Sequence, residues 1–175
     1  MAKQYSDDPS VQDKKEQNYK GNGGDLGYFT SMVMIYPFEN ACYSMEVGEI
    51  STPIKTRFGY HIIKLTDKMP AFCSSVDLSH IWIANVNRSE QESQRIINEV
   101  FAKLQEDNIS FDSIVKVYSD DKSTASAGGV LKNQKVNTIP APYVLQLSKL
   151  KEGEISAPFQ TPFGWHIIKP IRYKA

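Results

Sequence analysis

Two stretches that lie 105 residues apart decide the organisation of this chain. Residues 48–64 read GEISTPIKTRFGYHIIK, and residues 153–169 read GEISAPFQTPFGWHIIK. The two stretches align without a gap, and 12 of the 17 paired positions are identical. A match of this density within one chain indicates an internal duplication. The chain is therefore predicted to carry two copies of one module.

The two copies also match ahead of these stretches. AKQYSDD at residues 2–8 corresponds to VKVYSDD at residues 115–121, and the glycine pair at residues 23–24 corresponds to the pair at residues 128–129. The first copy has eight extra residues between its SDD triplet and its glycine pair. This insertion is polar and rich in lysine, and we predict that it forms a loop.

The first copy lacks the beginning that the second copy has. About 45 residues of the second copy precede its SDD triplet, and five residues precede the triplet of the first copy. Half of a packed unit should not bury a core well, so a truncated module is the preferred interpretation and a natural half-module is the alternative. We predict a partial domain at residues 1–68, a linker at 69–74 and a complete domain at 75–175.

Hydrophobic periodicity predicts an α+β fold for the second copy. VDLSHIWIA at residues 76–84 is typical of a buried strand, and apolar residues at helical spacing predict an amphipathic helix at 90–106 with Ser89 as its N-cap. The other predicted elements are a helix opened by Ser110, a short strand around Leu131, a helix begun by Pro142, and strands at 155–158 and 165–170. This order predicts a small four-stranded, mostly antiparallel sheet with the helices on one side. The corresponding predictions for the first copy are strands at 26–29, 50–54 and 60–65 and a helix at 37–45.

The composition argues against several classes of protein. Twenty basic and twenty acidic residues give a formal net charge of zero, and no cluster of Lys and Arg predicts a nucleic-acid surface. No stretch has the ~20 apolar residues that a membrane-spanning helix needs. Cys42 and Cys73 are predicted to be free thiols, although a disulfide stays possible in an oxidising compartment. The histidines and cysteines are too scattered for a metal site, and no cofactor motif is present, so we predict neither a metal nor a cofactor.

Three histidines are the main candidates for chemistry. His61 and His166 occupy the same position in the two copies, and His80 lies in the first predicted strand of the second copy. If His80 and His166 lie on neighbouring strands, their rings could share a hydrogen bond, because a neutral imidazole has one donor and one acceptor. The alternative is that these are core histidines whose hydrogen bonds are satisfied structurally.

The ordered motifs of the chain resemble those of the parvulin family of peptidyl-prolyl cis–trans isomerases. The resemblance is carried by GGDLGYF at residues 23–29, PFENA at 37–41, the repeated GEIS-x-P-x-x-T-x-F-G-x-H-I-I-K, the SHIWIA strand and the YSDD segment. It covers nearly the whole chain. The tandem arrangement is similar to that of the SurA-type periplasmic chaperones that handle outer-membrane proteins.

The resemblance implies a site with a shallow apolar cup for proline above a polar floor. For the second copy it implies a floor of His80, Asp121, Thr161 and His166 and a cup of Leu131, Ile139, Tyr143 and Phe163. For the first copy it implies a floor of Asp8, Thr56 and His61 and a cup of Leu26, Met34, Phe38 and Phe58. The second copy departs from the family pattern, because Ile139 and Tyr143 stand where the first copy has the expected Met34 and Phe38.

The resemblance also implies a function and partners. It implies non-covalent isomerisation of Xaa-Pro bonds in unfolded or exported polypeptides, in the periplasm or cell envelope. The alternative is a peptide-binding chaperone module without catalysis. The incomplete first copy could also be completed by a strand from a second chain, which would make the protein self-associate.

Overall fold

A computed structural model describes residues 1–13 and 21–174 of the chain. Most of the predicted polar loop, residues 14–20, lies outside the described residues. The elements in chain order are α1 (Ala2–Tyr5), α2 (Tyr36–Ser44), β1 (Ile54–Thr56), β2 (Gly59–His61), β3 (Ser75–Ala84), α3 (Glu90–Lys103), α4 (Phe111–Tyr118), α5 (Lys122–Ala125), β4 (Val130–Lys135), α6 (Ala141–Leu147), β5 (Phe159–Thr161) and β6 (Gly164–Lys174). The chain combines helices with antiparallel strands, which confirms the predicted α+β class.

The second copy contains the predicted four-stranded antiparallel sheet. Its strand order is β4-β3-β6-β5, and every neighbouring pair is antiparallel. β3 and β6 pair over ten positions, from Ser75 opposite Lys174 to Ala84 opposite Gly164. Most of β3 is buried, as its continuous apolar sequence predicts. β6 extends to Lys174 and is longer than the predicted strand at 165–170.

The helices cover both faces of this sheet, so the prediction that they lie on one side is wrong. Side chains of a strand point alternately to its two faces, and residues on both faces of β3 are buried. One core cluster joins the sheet to α3 and α4 and contains Ile81, Ile83, Ile97, Val100, Ile114, Val115 and Ile167. The other joins the opposite face to α6 and contains Val76, Leu78, Tyr143, Leu147, Phe159 and Ile168. The face covered by α6 is the one that carries the histidines.

Local signals predicted the starts of two helices correctly. The hydroxyl of Ser89 accepts a hydrogen bond of 3.1 Å from the backbone N–H of Glu92 at the start of α3. The hydroxyl of Ser110 accepts an equivalent bond from Ser113 at the start of α4. α3 ends at Lys103, before the predicted residue 106.

Residues 155–158, which were predicted to form a strand, have no regular secondary structure, and β5 begins at Phe159. Ser156 donates its backbone N–H to the Ile168 carbonyl, but the N–H of Ile168 is taken by the Ser156 hydroxyl at 3.0 Å. A side chain thus replaces the backbone acceptor that a regular ladder would use. Ser51 and Ile63 make the same pair of bonds in the first copy. The predicted strand at 50–54 is correspondingly reduced to one bridge, between Ile50 and Lys64, ahead of β1.

The first copy repeats the hairpin of the second copy in the same register. β1 pairs with β2 so that Ile54 lies opposite His61, just as Phe159 lies opposite His166. The helix predicted at 37–45 is present as α2. The strand predicted at 60–65 is shorter in the structure, where β2 spans Gly59–His61.

The predicted strand at 26–29 is not a strand. Its counterpart in the second copy is β4, which is held by pairing with β3. Within residues 1–13 and 21–68 the structure shows no strand in the place of β3, so this segment has no partner for a ladder. Cys42 and Cys73 are free thiols, and no helix of the described residues is long and apolar enough to cross a membrane.

Candidate functional site

His80 and His166 lie on neighbouring strands and point to the same face of the sheet. His166 on β6 is opposite Trp82 on β3, and His80 lies two residues before Trp82. Residues two apart in a strand share a face, so the two imidazoles are diagonal neighbours. Both side chains are buried. Gly129 supports this packing, because a Cβ at its position would come within 2.2 Å of the His80 carbonyl oxygen.

Asp121 forms a hydrogen bond with Nε2 of His80, the ring nitrogen that does not face Tyr143. It is the N-cap of α5, and its Oδ2 lies 2.8 Å from Nε2 of His80. Its two oxygens also accept hydrogen bonds from the hydroxyls of Ser123 and Thr124 at 2.5 and 2.6 Å. Burial raises the pKa of the Asp121 carboxyl, but the bonds from Ser123, Thr124 and His80 outweigh burial and hold the pKa well below its usual range. Asp121 is therefore an ionised acceptor beside the imidazole.

The hydroxyl of Tyr143 joins the two histidines. It lies 2.7 Å from Nδ1 of His166 and 3.3 Å from Nδ1 of His80. The predicted hydrogen bond between the two histidines is therefore replaced by a bridge through a third side chain. Tyr143 belongs to the predicted apolar cup, yet it is only 7% exposed and its polar end faces the floor. Burial, followed by the negative charge of Asp121, raises its pKa, so the phenol stays protonated.

Thr161 completes the floor at the other end. Its Oγ1 lies 2.8 Å from Nε2 of His166 and accepts a hydrogen bond of 3.2 Å from the backbone N–H of Phe163. The hairpin between β5 and β6 places these groups, since Thr161 lies opposite Gly164 in its register. The structure thus brings together the four residues of the predicted floor in one chain of contacts, which runs Asp121, His80, Tyr143, His166 and Thr161.

Aromatic rings enclose His166, and two of them were not predicted from the sequence. Trp82 stacks on the imidazole at 6.4 Å between centroids, and Phe159 stacks on it at 5.6 Å. Burial, together with the charge on His80, lowers the pKa of His166 to about 3. Both residues had a signal in the sequence, because Trp82 lies two positions after His80 and Phe159 two positions before Thr161.

The predicted cup residues of the second copy differ in their exposure to solvent. Leu131 and Ile139 are half-buried and pack against the core cluster that contains Tyr143. Phe163 occupies the hairpin turn and is 67% exposed. An exposed phenyl ring beside a buried polar floor is a surface onto which an apolar ligand ring could pack.

The first copy reproduces only part of this arrangement. Oγ1 of Thr56 lies 2.7 Å from Nε2 of His61, matching the pair in the second copy. The ring of Phe38 meets His61 edge-on at 5.5 Å, in the place where Tyr143 meets His166. Phe38 has no hydroxyl, so the described part of the first copy shows no equivalent of the bridge.

The remaining predicted residues of the first copy are more scattered. Asp8 caps its own turn by accepting the Ser10 N–H at 2.8 Å, and this bond is the main cause of its lowered pKa. Within the described residues no hydrogen bond joins Asp8 to His61, although the histidine charge also lowers the Asp8 pKa slightly. Leu26 and Phe58 are exposed, and Met34 is half-buried. An open depression lies beside Thr56, lined by Ile35, Tyr36, Pro37, Thr56 and Arg57.

Comparison with protein families identifies this arrangement. Residues 1–67 and 80–172 match the rotamase model, described as the PPIC-type PPIase domain. The chain belongs to the PPIC-type peptidyl-prolyl isomerase family. This assignment confirms the family that the sequence motifs resemble, and the two matched ranges follow the two copies of the repeat.

Known PPIC-type proteins similar to this chain include chaperones. The chain is 31% identical over 157 residues to Chaperone SurA of Pseudomonas fluorescens, which covers 87% of this chain and 37% of that protein. It is 32% identical over 153 residues to Chaperone SurA of Thiobacillus denitrificans, covering 85% and 35%. The chain therefore spans little more than a third of the length of the curated relatives that it matches.

Two solved structures share the fold of part of this chain. The structure of TbPIN1 superposes with a TM-score of 0.52 at 18% identity, covering 58% of this chain and all of that one. Peptidyl-prolyl isomerase ESS1 from Candida albicans gives a TM-score of 0.52 at 21% identity, covering 55% of this chain and 62% of that one. These similarities agree with the four-stranded sheet and its helices.

Proposed function

We propose that the second copy, residues 75–175, is a complete isomerase domain that accelerates cis–trans rotation about Xaa-Pro bonds. The observation that carries this proposal is the continuous contact chain from Asp121 to Thr161, in a protein of the PPIC-type family. The exposed ring of Phe163 lies in the hairpin turn that follows Thr161. In this proposal His80, Asp121, Thr161 and His166 form the polar floor. Leu131, Ile139 and Phe163 contact the proline, with the ring of Tyr143 behind them.

The reaction needs no nucleophile. Rotation about a peptide bond faces a barrier of ~18–20 kcal/mol because the amide loses its resonance, and Xaa-Pro bonds isomerise unaided in tens to hundreds of seconds. The twisted amide has a more basic nitrogen and a more ketone-like carbonyl than the planar one. A site that matches this altered charge distribution and excludes water lowers the barrier without forming a covalent bond.

The floor supplies fixed dipoles for this purpose. Since the pKa of His166 is lowered to about 3, its imidazole is neutral at physiological pH and acts as a dipole rather than as a cation. Asp121 remains ionised and orients His80, while Thr161 orients His166 from the other side. Each group is held by a second hydrogen bond, so little reorganisation is needed when the substrate twists.

We propose a lesser role for the first copy. Its Thr56 and His61 reproduce one end of the floor, but within the described residues it has no strand in the place of β3 and no residue in the place of His80. Asp8, Leu26, Met34, Phe38 and Phe58 are its remaining predicted site residues. We propose that residues 1–68 form a partial domain, joined to the second copy by a linker at 69–74. We expect this partial domain to contribute client contacts and little catalysis by itself.

We further propose unfolded or proline-containing polypeptides as the clients, in the periplasm or cell envelope. The similarity to proteins named Chaperone SurA and the resemblance of the motifs to the tandem periplasmic chaperones support this proposal. Phe58, Tyr60 and Phe163 are exposed aromatic side chains that could contact such clients.

The direct test is the cis-to-trans conversion of an unphosphorylated Xaa-Pro tetrapeptide with and without the protein. We expect clear acceleration by the wild-type chain. His166→Ala should lower kcat/KM by about 100-fold, the lower end of the range for losing one preorganised hydrogen-bonding group. The matched variant His61→Ala should keep most of the activity. An unchanged rate in a folded His166→Ala protein would contradict the assigned floor, and a larger loss in His61→Ala would move the site to the first copy.

A second experiment separates catalysis from simple client binding. A proline-free, aromatic-rich peptide is added as a competitor to the tetrapeptide assay. Weak competition is expected if the cup selects proline. Equal competition by the two peptides, with no acceleration of isomerisation, would support the alternative of a peptide-binding chaperone module.

A further inference from the structure

One phenolic proton lies between two histidines in the second copy. The hydroxyl of Tyr143 contacts Nδ1 of both His80 and His166, at 3.3 and 2.7 Å. A hydroxyl has a single proton to donate, although its oxygen can accept as well. It can therefore donate to only one of the two rings at a time, and the other ring must donate to it for both contacts to be hydrogen bonds.

The proton on the outer nitrogen of His80 is fixed. Asp121 is ionised and can only accept, so Nε2 of His80, 2.8 Å away, carries a hydrogen. The charge state of His80 is then determined by its other nitrogen, Nδ1, which faces Tyr143. Two described ionisable groups form hydrogen bonds with His80, namely Asp121 on the loop before α5 and Tyr143 on α6, and His166 on β6 interacts with it electrostatically.

When His80 is neutral, the hydrogen bonds of the chain are donated in the direction from Thr161 towards His80. Its Nδ1 is then an acceptor, so Tyr143 donates to it. The Tyr143 oxygen must accept from His166, which places the His166 proton on Nδ1. Nε2 of His166 is then an acceptor, and the hydroxyl of Thr161 donates to it at 2.8 Å. Every member of the chain has a partner in this arrangement.

A protonated His80 reverses the direction. Its Nδ1–H donates to the Tyr143 oxygen, and Tyr143 donates to Nδ1 of His166. The proton of His166 is now on Nε2 and is donated to Thr161. The hydroxyl of Thr161 then turns to the Gly164 carbonyl, which lies 3.5 Å away. Both directions are therefore compatible with the same heavy-atom positions.

We propose that Tyr143 is a positioning residue that couples the protonation of His80 to the tautomer of His166. The tautomer is a property of the folded chain itself, so only the consequence for catalysis rests on the proposed function. The tautomer decides whether Thr161 donates to His166 or accepts from it, and so reverses the dipoles of the polar floor.

The first copy offers an internal comparison. It has the pair Thr56 and His61 at 2.7 Å, but Phe38 occupies the position of Tyr143. Within the described residues His61 has no phenol to relay a proton position from another histidine. Phenylalanine at the matching position also shows that Tyr143→Phe preserves a side chain that this local fold accepts.

The test is ¹⁵N NMR of the imidazole nitrogens in the whole chain across a pH titration, with His166 and His61 assigned by substitution. In the wild type we expect His166 to carry its proton on Nδ1 while His80 is neutral, and to move it to Nε2 as His80 becomes protonated. In Tyr143→Phe we expect His166 to hold its proton on Nε2 at every pH, because a buried Nδ1–H without an acceptor is costly. The tautomer of His61 should be the same in the wild type and in Tyr143→Phe.

Tyr173→Phe is the matched control. The Tyr173 hydroxyl lies 2.8 and 2.9 Å from the carbonyl oxygens of Leu147 and Leu150, so this variant loses a half-buried, hydrogen-bonded tyrosine hydroxyl that contacts neither histidine in the described residues. It should leave the His166 tautomer as in the wild type. The proposal would be overturned if the His166 tautomer were the same in the wild type and Tyr143→Phe at a pH where His80 is neutral. It would also be overturned if the wild-type tautomer did not change as His80 becomes protonated. The isomerase assay on the same variants is a separate readout, so an inactive wild type would reject the proposed function and leave the tautomer result standing.

Discussion

The guanidinium of Arg88 lies against the carboxylate of Asp120. Nη1 of Arg88 is 2.7 Å from Oδ2 of Asp120, and Nη2 is 3.5 Å from Oδ1. Oδ2 also accepts the backbone N–H of Ala84 at the end of β3. Arg88 is the one basic residue of the segment 85–92, which follows the first strand of the second copy. The one positive charge of this segment that could attract a phosphate is therefore already paired with a neighbouring carboxylate.

The wild-type chain should consequently show no preference for phosphorylated Ser/Thr-Pro peptides. Asp120→Asn leaves Arg88 without its anionic partner, and we expect the ratio of kcat/KM for phosphorylated over unphosphorylated peptide to rise about 5-fold, the equivalent of about 1 kcal/mol for a partly exposed ion pair. The double variant Asp120→Asn/Arg88→Gln should lose this gain. A strong phosphate preference in the wild type would contradict this account.

The lowered pKa of His166 makes the stability of the second copy depend on pH. The pKa falls to about 3 in the folded protein, so the unfolded chain binds a proton that the folded chain excludes. The stabilising contribution is therefore complete above about pH 6.5 and is lost as the pH falls towards 3, with a slope approaching about 1.4 kcal/mol per pH unit. Urea denaturation at several pH values, followed by tryptophan fluorescence, measures this slope.

His166→Gln should flatten this dependence, because glutamine does not ionise. His166→Asn should flatten it equally, whatever constant loss of stability each variant shows at pH 8. If the slope in both variants equals that of the wild type, the pH dependence has another source.

The matching glycines of the two hairpins should differ sharply in their tolerance of alanine. Gly164 and Gly59 have φ values of 139° and 126°, so alanine is strained at both positions, by about 1–3 kcal/mol. A Cβ at Gly164 would come within 2.2 Å of the Ile83 carbonyl oxygen, whereas a Cβ at Gly59 meets nothing within 4 Å. Gly164→Ala should therefore cost at least about 2 kcal/mol more than Gly59→Ala.

Tryptophan fluorescence can assign this loss to one copy, since Trp82 and Trp165 both lie in the four-stranded sheet. The thermal transition seen by fluorescence should fall clearly in Gly164→Ala and change little in Gly59→Ala. Equal shifts in the two variants would mean that the first hairpin also packs against a neighbouring strand.

Local features of the fold could be predicted from the sequence because they depend on neighbours along the chain. Ser89 caps α3 because a hydroxyl three residues ahead of Glu92 reaches its N–H. The repeat predicted two strands at matching positions in each copy. The structure shows that the two hairpins also share one register, with Thr161 opposite Gly164 and Thr56 opposite Gly59. The resemblance to the parvulin family also named the four floor residues that the structure brings together.

Features that depend on packing across the sheet could not be predicted in this way. The sequence alone does not determine which face of the sheet α6 covers, and this placement decides that the Tyr143 hydroxyl reaches both histidines. The same is true of the rings of Trp82 and Phe159 around His166. Periodicity tells which residues share a face of one element, but it does not tell which elements meet.

The sequence by itself determined the repeated segments, the family and the residue types of the proposed polar floor, because these are read from the order and spacing of residues. Only the tertiary structure decided that the floor is continuous in the second copy and interrupted in the first. The physical reason is the pairing of β3 with β6, which places His80 beside His166 and leaves the equivalent edge of β2 without a strand among the described residues. A hydrogen-bond chain across strands exists only where those strands meet.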